Sequence, residues 1–202
     1  MATETDCNND ALGQIGAARI TSINDGSVNG NHCLTFYPAL RDGLLRSHFW
    51  NFALKWQELA QDLPAPTIGY AYSYELPSNF LRLKDYAGAL PTSNTFVSLL
   101  WAPGMRYVTN YKIEGTKLRS NDGQAFIQFI QRMENPDEWD ATFYQAVTTL
   151  LASKLAMGIR KEPKLSMALF EQGQALLSLA LAVDGQEGSA EPFVSDELTW
   201  GR

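Results

Sequence analysis

The chain has 202 residues, 45% of them apolar and 19% charged, which suits a folded domain with a core and excludes bulk disorder. Its formal net charge is -6 and its pI near 4.9, with no cluster of Lys and Arg, so a protein that grips nucleic acid by replacing phosphate counterions is excluded. Cys7 and Cys33 have neither disulfide nor zinc spacing and predict a reducing compartment; the polar, acidic residues 1–10 resemble no export signal, and no run approaches the ~20 apolar residues that span a bilayer, so no membrane partner is expected.

In chain order, Asn9 or Asp10 caps a short helix through Ala11, Leu12 and Ile15 that ends near Gly16. Turn formers fill residues 21–27. A second helix over residues 29–48 places Cys33, Tyr37, Leu40 and Leu44 on one face, with Pro38 inside it as a kink or a new first turn. Residues 50–61 fit neither the helical nor the strand period. Tyr70, Tyr72 and Tyr74 alternate with smaller or polar residues as a strand does, and Phe80-Leu81-Arg82-Leu83 extends it beyond Pro77. Residues 88–94 read as a loop. A hairpin follows, Tyr111-Lys112-Ile113-Glu114 and Lys117-Leu118-Arg119-Ser120 about Gly115-Thr116, and residues 126–130 supply another strand.

Asn135-Pro136-Asp137-Glu138 carries a helix-start signature, and the helix continues through Phe143, Val147, Leu150, Leu151 and Leu155 to Gly158. Pro163 opens a last helix with Leu165, Leu169, Leu176, Ala180 and Val183 on one face, ending at Gly185. Small residues in both, among them Ala152 and Gly173, predict a closely packed antiparallel pair. The expected fold is mainly α: a helical bundle core of about four helices, a small antiparallel β insertion and an extended C-terminal tail. Residues 1–62 hold the N-terminal helices, 63–133 the β-rich insertion, 134–185 the C-terminal helical hairpin and 186–202 the tail.

Chemistry is sparse along this chain. There is no phosphate-binding glycine loop and no nucleophile elbow, and the two histidines, His32 and His48, have no Cys, Asp or Glu at ligand spacing. Asp137, Glu138 and Asp140 are explained by helix-dipole complementation. No catalytic residue, metal or cofactor is therefore expected. The aromatic residues carry the remaining signal. Trp50, Tyr70, Tyr72, Tyr74 and Trp101 are candidates for packing in a core or against another subunit, and the latter is the expectation adopted. Phe193, Val194, Leu198 and Trp200, spaced along a polar tail, read as anchors that order when a partner accepts them.

Several stretches carry a family likeness in order: residues 11–23 (ALGQIGAARITSI), Tyr37-Pro38-Ala39-Leu40-Arg41-Asp42, residues 45–53 (LRSHFWNFA), residues 69–77 (GYAYSYELP), Leu81-Arg82-Leu83, and Tyr111-Lys112-Ile113-Glu114-Gly115 ahead of the helix at residues 143–157. Together they resemble the phage tail tubular protein A family, the head-to-tail adaptors of short-tailed and some related tailed bacteriophages. Phe49 stands where that pattern has Pro before Trp-Asn-Phe, and residues 87–109 correspond to nothing in it. The resemblance covers most of residues 9–184. It implies a structural subunit and no enzyme: a homo-oligomeric ring, twelvefold in that family, beneath the portal protein and above the tail nozzle or first tail ring protein. Such a subunit is assembled in the host cytoplasm and resides in the virion neck, where genomic DNA passes the lumen without sequence-specific binding. The alternatives are another neck ring or tail completion protein, a monomeric assembly factor, or a soluble enzyme with an unfamiliar site.

Overall fold

The computed structural model describes residues 2–63, 66, 68–88 and 111–187. Within them the chain is a mixed α/β protein, 51% helical and 20% strand, with four helices and seven strands in two antiparallel sheets. The expected mainly helical bundle is thus corrected. Strand content was undercounted because the short strands are half-buried and carry Lys, Gln and Asp among their apolar residues, so they show no clean alternation.

The chain divides into two units, one of Met1–Leu54 with Ile130–Gly188 and the other built on Lys55–Phe129. The first holds α1 (Glu4–Gln14), α2 (Val28–Ser47), α3 (Ala141–Leu155) and α4 (Pro163–Glu187). Helix α1 starts earlier than its expected cap: the Thr3 side chain accepts from the Asp6 N–H, and Asp6 reaches back to the Thr3 N–H. Asn9, the expected cap, lies inside the helix. Its amide clamps residue 20, donating to the Ile20 carbonyl at 3.0 Å and accepting from the Ile20 N–H at 2.8 Å. Helix α2 runs through Pro38 and buries Cys33, Tyr37, Arg41 and Leu45. Arg41 occupies a buried slot because its guanidinium binds Asp42 at 2.9 Å and lies over the Tyr37 ring at 5.6 Å. Arg132 binds the other oxygen of Asp42 at 2.8 Å.

The Asn135-Pro136 signature opens only a 3-10 turn, Pro136–Glu138, and α3 begins one turn later, where Asp140 accepts from the N–H groups of Thr142 and Phe143. Helix α3 is the centre of this unit, with Phe143, Ala146, Val147, Leu151, Ala152 and Leu155 all buried. It closes in a π turn, Ala156–Arg160, and Lys161 then takes the left-handed conformation, φ 55, that lets the chain reverse into α4. Contacts between Ser153 and Ser166 and between Leu150 and Gly173 step in opposite directions along the two helices, so α3 and α4 are antiparallel. A Cβ on Gly173 would fall 2.6 Å from the Leu150 side chain, which is why this position is glycine.

The second unit carries β1 (Leu54–Glu58), β2 (Gln61–Asp62), β3 (Tyr72–Glu75), β4 (Phe80–Ala87), β5 (Tyr111–Glu114), β6 (Lys117–Ser120) and β7 (Phe126–Gln131). The sheet orders are β1-β7-β4 and β2-β3-β6-β5. In the second sheet Tyr74 pairs with Leu118 and Leu118 with Ile113, and Gly115, φ 62, sits in the β5–β6 turn. Leu59, Tyr74, Tyr86, Leu118, Ile127 and Phe129 draw both sheets into one core. Among them a polar knot is satisfied. Tyr86 donates to Ser120 Oγ at 2.7 Å and Asp122 Oδ2 at 2.8 Å, while Tyr74 donates to the Asp122 carbonyl at 2.5 Å. Strand formation begins at Leu54, inside the stretch expected to belong with the N-terminal helices.

Candidate functional site: an apolar groove in the helical unit

Three helical stripes that are far apart in sequence converge in the first unit. Phe36, Leu40 and Leu44 recur at steps of four on α2 and are half-buried. Leu150, Ser153, Lys154 and Met157 follow the same spacing along α3 into the π turn, and Ser166, Met167, Phe170, Glu171 and Gln174 do so on α4. Between them lies an open groove of about 630 Å³. Its floor is polar-satisfied: Ser166 donates to the Ser153 carbonyl at 2.8 Å, and Ser153 to that of Leu150 at 2.7 Å. Its walls are apolar and uncovered, with Met157 55%, Met167 65% and Phe170 51% exposed. Lys154 and Glu171 are the charged residues of the lining. A Cβ on Gly158 would meet the His32 ring at 3.1 Å, so the π turn approaches α2 closely at one end of the groove.

The uncovered surface continues along α4. Its inner face buries Leu169, Gly173, Ala180 and Asp184; of the face read from the sequence Leu169 and Ala180 are buried and Leu165, Leu176 and Val183 half-buried, while Leu179 and Leu181 are exposed on the outer side. Among the described residues, α4 is one helix long and apolar enough by length and composition to cross a membrane. That corrects the expectation that no run comes near the requirement. Gln172, Gln174 and Ser178 lie among the exposed positions of α4, the Ser178 hydroxyl donating to the Gln174 carbonyl at 2.9 Å.

At the end of α4 the Asp184 carboxylate accepts from the Asn51 N–H at 2.8 Å and lies 3.0 Å from His48 Nε2; the Asn51 amide donates back to the Asp184 carbonyl at 2.7 Å. This arrangement pins the last turn of the helix to the bend and 3-10 turn, Asn51–Ala53, that follow α2. The imidazole is packed against Trp50, with ring centroids 5.0 Å apart. Burial pushes the Cys33 thiol up to about 11 and raises Cys7 as well, so both are protonated at neutral pH and are poor nucleophiles. Among the described residues no group of three His, Cys, Asp or Glu side chains stands ready for a metal ion.

The aromatic residues expected at a subunit interface are placed differently from one another. Trp50 is 1% exposed: its indole donates to the Leu44 carbonyl at 3.0 Å and packs on Phe52 and Phe143. Tyr74 is likewise buried, and Tyr72 packs against the same core from a half-buried position. The tyrosine side of β3 is thus the inner side of the second unit, and Trp50 and Tyr74 have no surface to offer another subunit. Tyr70 is half-buried just before the strand. Trp101, Phe193, Val194, Leu198 and Trp200 lie outside the described residues. The groove itself was not anticipated. Its sequence signal is that Met167 and Phe170 fall off the face that periodicity assigns to the core. The chain matches no known family model, and no curated protein matches it significantly.

Proposed function

We propose that this chain is a structural ring subunit of a bacteriophage neck, an adaptor that joins portal to tail and performs no catalysis. The observation that carries the reading is α4, a helix covered on one side that leaves Met167, Phe170, Leu179 and Leu181 exposed, with a groove running beside it. A helix of that kind is completed by a neighbour. A ring contact is heterologous, so the groove-bearing face meets a different face of the next subunit, and the number of copies follows from where the rotation closes. The ordered resemblance to the tail tubular protein A family supports a twelvefold ring and a portal above it. In this reading the segment with Phe193, Val194, Leu198 and Trp200 docks on the portal, the β-rich unit is turned toward the tail nozzle or first tail ring protein, and genomic DNA traverses an acidic lumen without sticking.

Light scattering of the purified protein, alone and mixed with its portal, tests this. A twelve-subunit ring, or a monomer that joins the portal stoichiometrically, is expected. A monomer indifferent to the portal at micromolar concentration overturns the proposal and returns the enzyme and assembly-factor alternatives.

A further inference from the structure

We infer that the groove between α2, α3 and α4 seats an acidic amphipathic helix of another protein, laid along α3 so that its apolar stripe meets both walls. This goes beyond the ring reading and stands without it, because Leu179 on the outer side of α4 is left exposed for a neighbouring subunit.

The shape of the groove selects a helix. One wall is the ridge Phe36, Leu40 and Leu44 at steps of four, and the other is Met167, Phe170 and Gln174 at steps of three and four. Each ridge runs for about 11–12 Å at the helical rise, or two turns, which matches partner side chains at i, i+4 and i+7. Met157 and Met167 adapt to bulky apolar side chains of different shapes. The floor offers no backbone partner to an extended chain: the Leu150 and Ser153 carbonyls accept from the hydroxyls of Ser153 and Ser166. A helix satisfies its own backbone and needs only side-chain contact. The groove is open along its length, so a compact ligand would keep one side in water, whereas small-molecule sites enclose most of the ligand.

The charge of the occupant follows from the rim. Lys154 lines the groove, and Lys161 and Lys164 are exposed on the segment between Gly158 and Ser166, both of which line it. None of the three lysines has an ion-pair partner among the described residues. Arg160 adds a positive charge at the π turn, where its Nε donates to the Ile15 carbonyl. In the lining and the turn at its end the acids are Glu171 and Glu162, and the α2 wall from Val28 to Leu40 holds no Asp, Glu, Lys or Arg. The rim is thus basic on a chain of net charge -6, and carboxylates flanking the partner's apolar stripe complement it.

A second copy of this chain does not supply such a helix from its described residues. Helix α1 is acidic, with Glu4, Asp6 and Asp10, but its Cys7, Ala11 and Leu12 are fully buried in their own unit. The apolar residues of α3 are spent in the same core. Helix α2 exposes Val28 and Leu34 with no acid between them, and Met167 and Phe170 of α4 are already the groove's own wall. An acid-flanked apolar stripe therefore comes from a different protein.

The test offers the folded full chain, immobilised, a displayed library of randomised peptides of about 16 residues, long enough for four helical turns. The expected result is enrichment of sequences with large apolar residues at i, i+4 and i+7 flanked by Asp and Glu. A synthetic peptide of the enriched sequence should gain helical circular dichroism on binding. In fluorescence anisotropy Met167→Glu should lower its affinity at least tenfold, with the protein's own circular dichroism unchanged. Lys154→Glu should weaken the acidic peptide at least threefold and strengthen a version with lysines in place of its acids, while Leu179→Ala changes neither. Enrichment of basic or of extended, proline-containing sequences, affinity indifferent to Met167→Glu, or no enrichment at all overturns the inference. So does self-association of the chain that Met167→Glu abolishes, which makes a second copy the occupant. A chain that joins the portal but enriches no such helix refutes this inference alone; one that enriches it and ignores the portal refutes the proposed function alone.

Discussion

Helices α3 and α4 are comparably apolar and pack on each other, yet α3 buries ten of its fifteen residues and α4 only four of its twenty-five. Helix α3 is surrounded by α1, α2 and α4. Helix α4 has one covered side, and its remaining apolar residues face the groove or solvent. Apolar composition therefore marks two different things within one unit: a core already formed, and an apolar surface left uncovered. In the described residues the apolar side chains Met167, Phe170, Leu179 and Leu181 of α4 keep their surface in contact with water, so their burial contributes nothing to the stability of this fold.

The comparison is broken most directly by truncation. Phe143→Ala in α3 removes a fully buried ring that packs on Trp50, Phe52 and Trp139, and should cost about 4 kcal/mol of stability in urea unfolding. Leu179→Ala on the outer side of α4, where the residue is 52% exposed, should cost less than about 0.5 kcal/mol in the dilute chain. If both substitutions cost the same, α4 is covered in the free protein and the contrast fails. The variant Leu179→Asp should keep its helical circular dichroism and lose higher-order mass in light scattering.

Glycines on the two sides of α4 sharpen the same contrast. Gly173→Val drives side-chain atoms into Leu150 and should destabilise by about 2–3 kcal/mol. Gly185→Ala meets nothing within 4 Å and should stabilise by up to about 1 kcal/mol through helix propensity. Thermal unfolding of the pair reads both signs. Asp184→Ala leaves the Asn51 N–H and the His48 ring without their acceptor; a loss of about 1–2 kcal/mol is expected, seen as faster hydrogen exchange in the last turn of α4.

The smallest effect concerns pH and the start of α3. Burial works to raise the Asp140 carboxyl, but the hydroxyl and N–H of Thr142 and the N–H of Phe143 outweigh it and hold it below the usual carboxylate value. A group depressed in the folded state contributes stability that is fully present above its unfolded value, about 3.9, and lost as pH falls through the folded value. Asp140→Asn should therefore flatten the acid limb of a stability-versus-pH curve by less than about 1 kcal/mol, with little change at pH 7. An unchanged acid limb would show that the cap does not contribute there.

Local chemistry was legible where a single residue type decides the geometry. Gly115 turns the β5–β6 hairpin, and Pro163 starts α4, each as the residues imply. It misled where two similar signals compete. Asn135-Pro136 and Asp140 both look like caps, and only the packing of Phe143 against Trp50 and Trp139 selects the second as the start of α3. Strands β1 and β2 escaped because Lys55, Trp56 and Glu58 are exposed and Leu54 and Gln57 only half-buried, a pattern without alternation.

Composition and periodicity thus sufficed for the presence of the helices and for part of the buried side of each, Cys33 and Tyr37 on α2 and Leu169 and Ala180 on α4 among them. Which apolar residues are covered was a matter for the tertiary structure. The tyrosine row on β3 turned inward because its sheet shares a core with the other, and Trp50 was enclosed by Phe52 and Phe143. The groove came into being from stripes near residues 40, 154 and 170, brought together by folding. The reason is physical: the side-chain period of a helix says which way a residue points, whereas burial depends on what other segments of the chain stand in front of it.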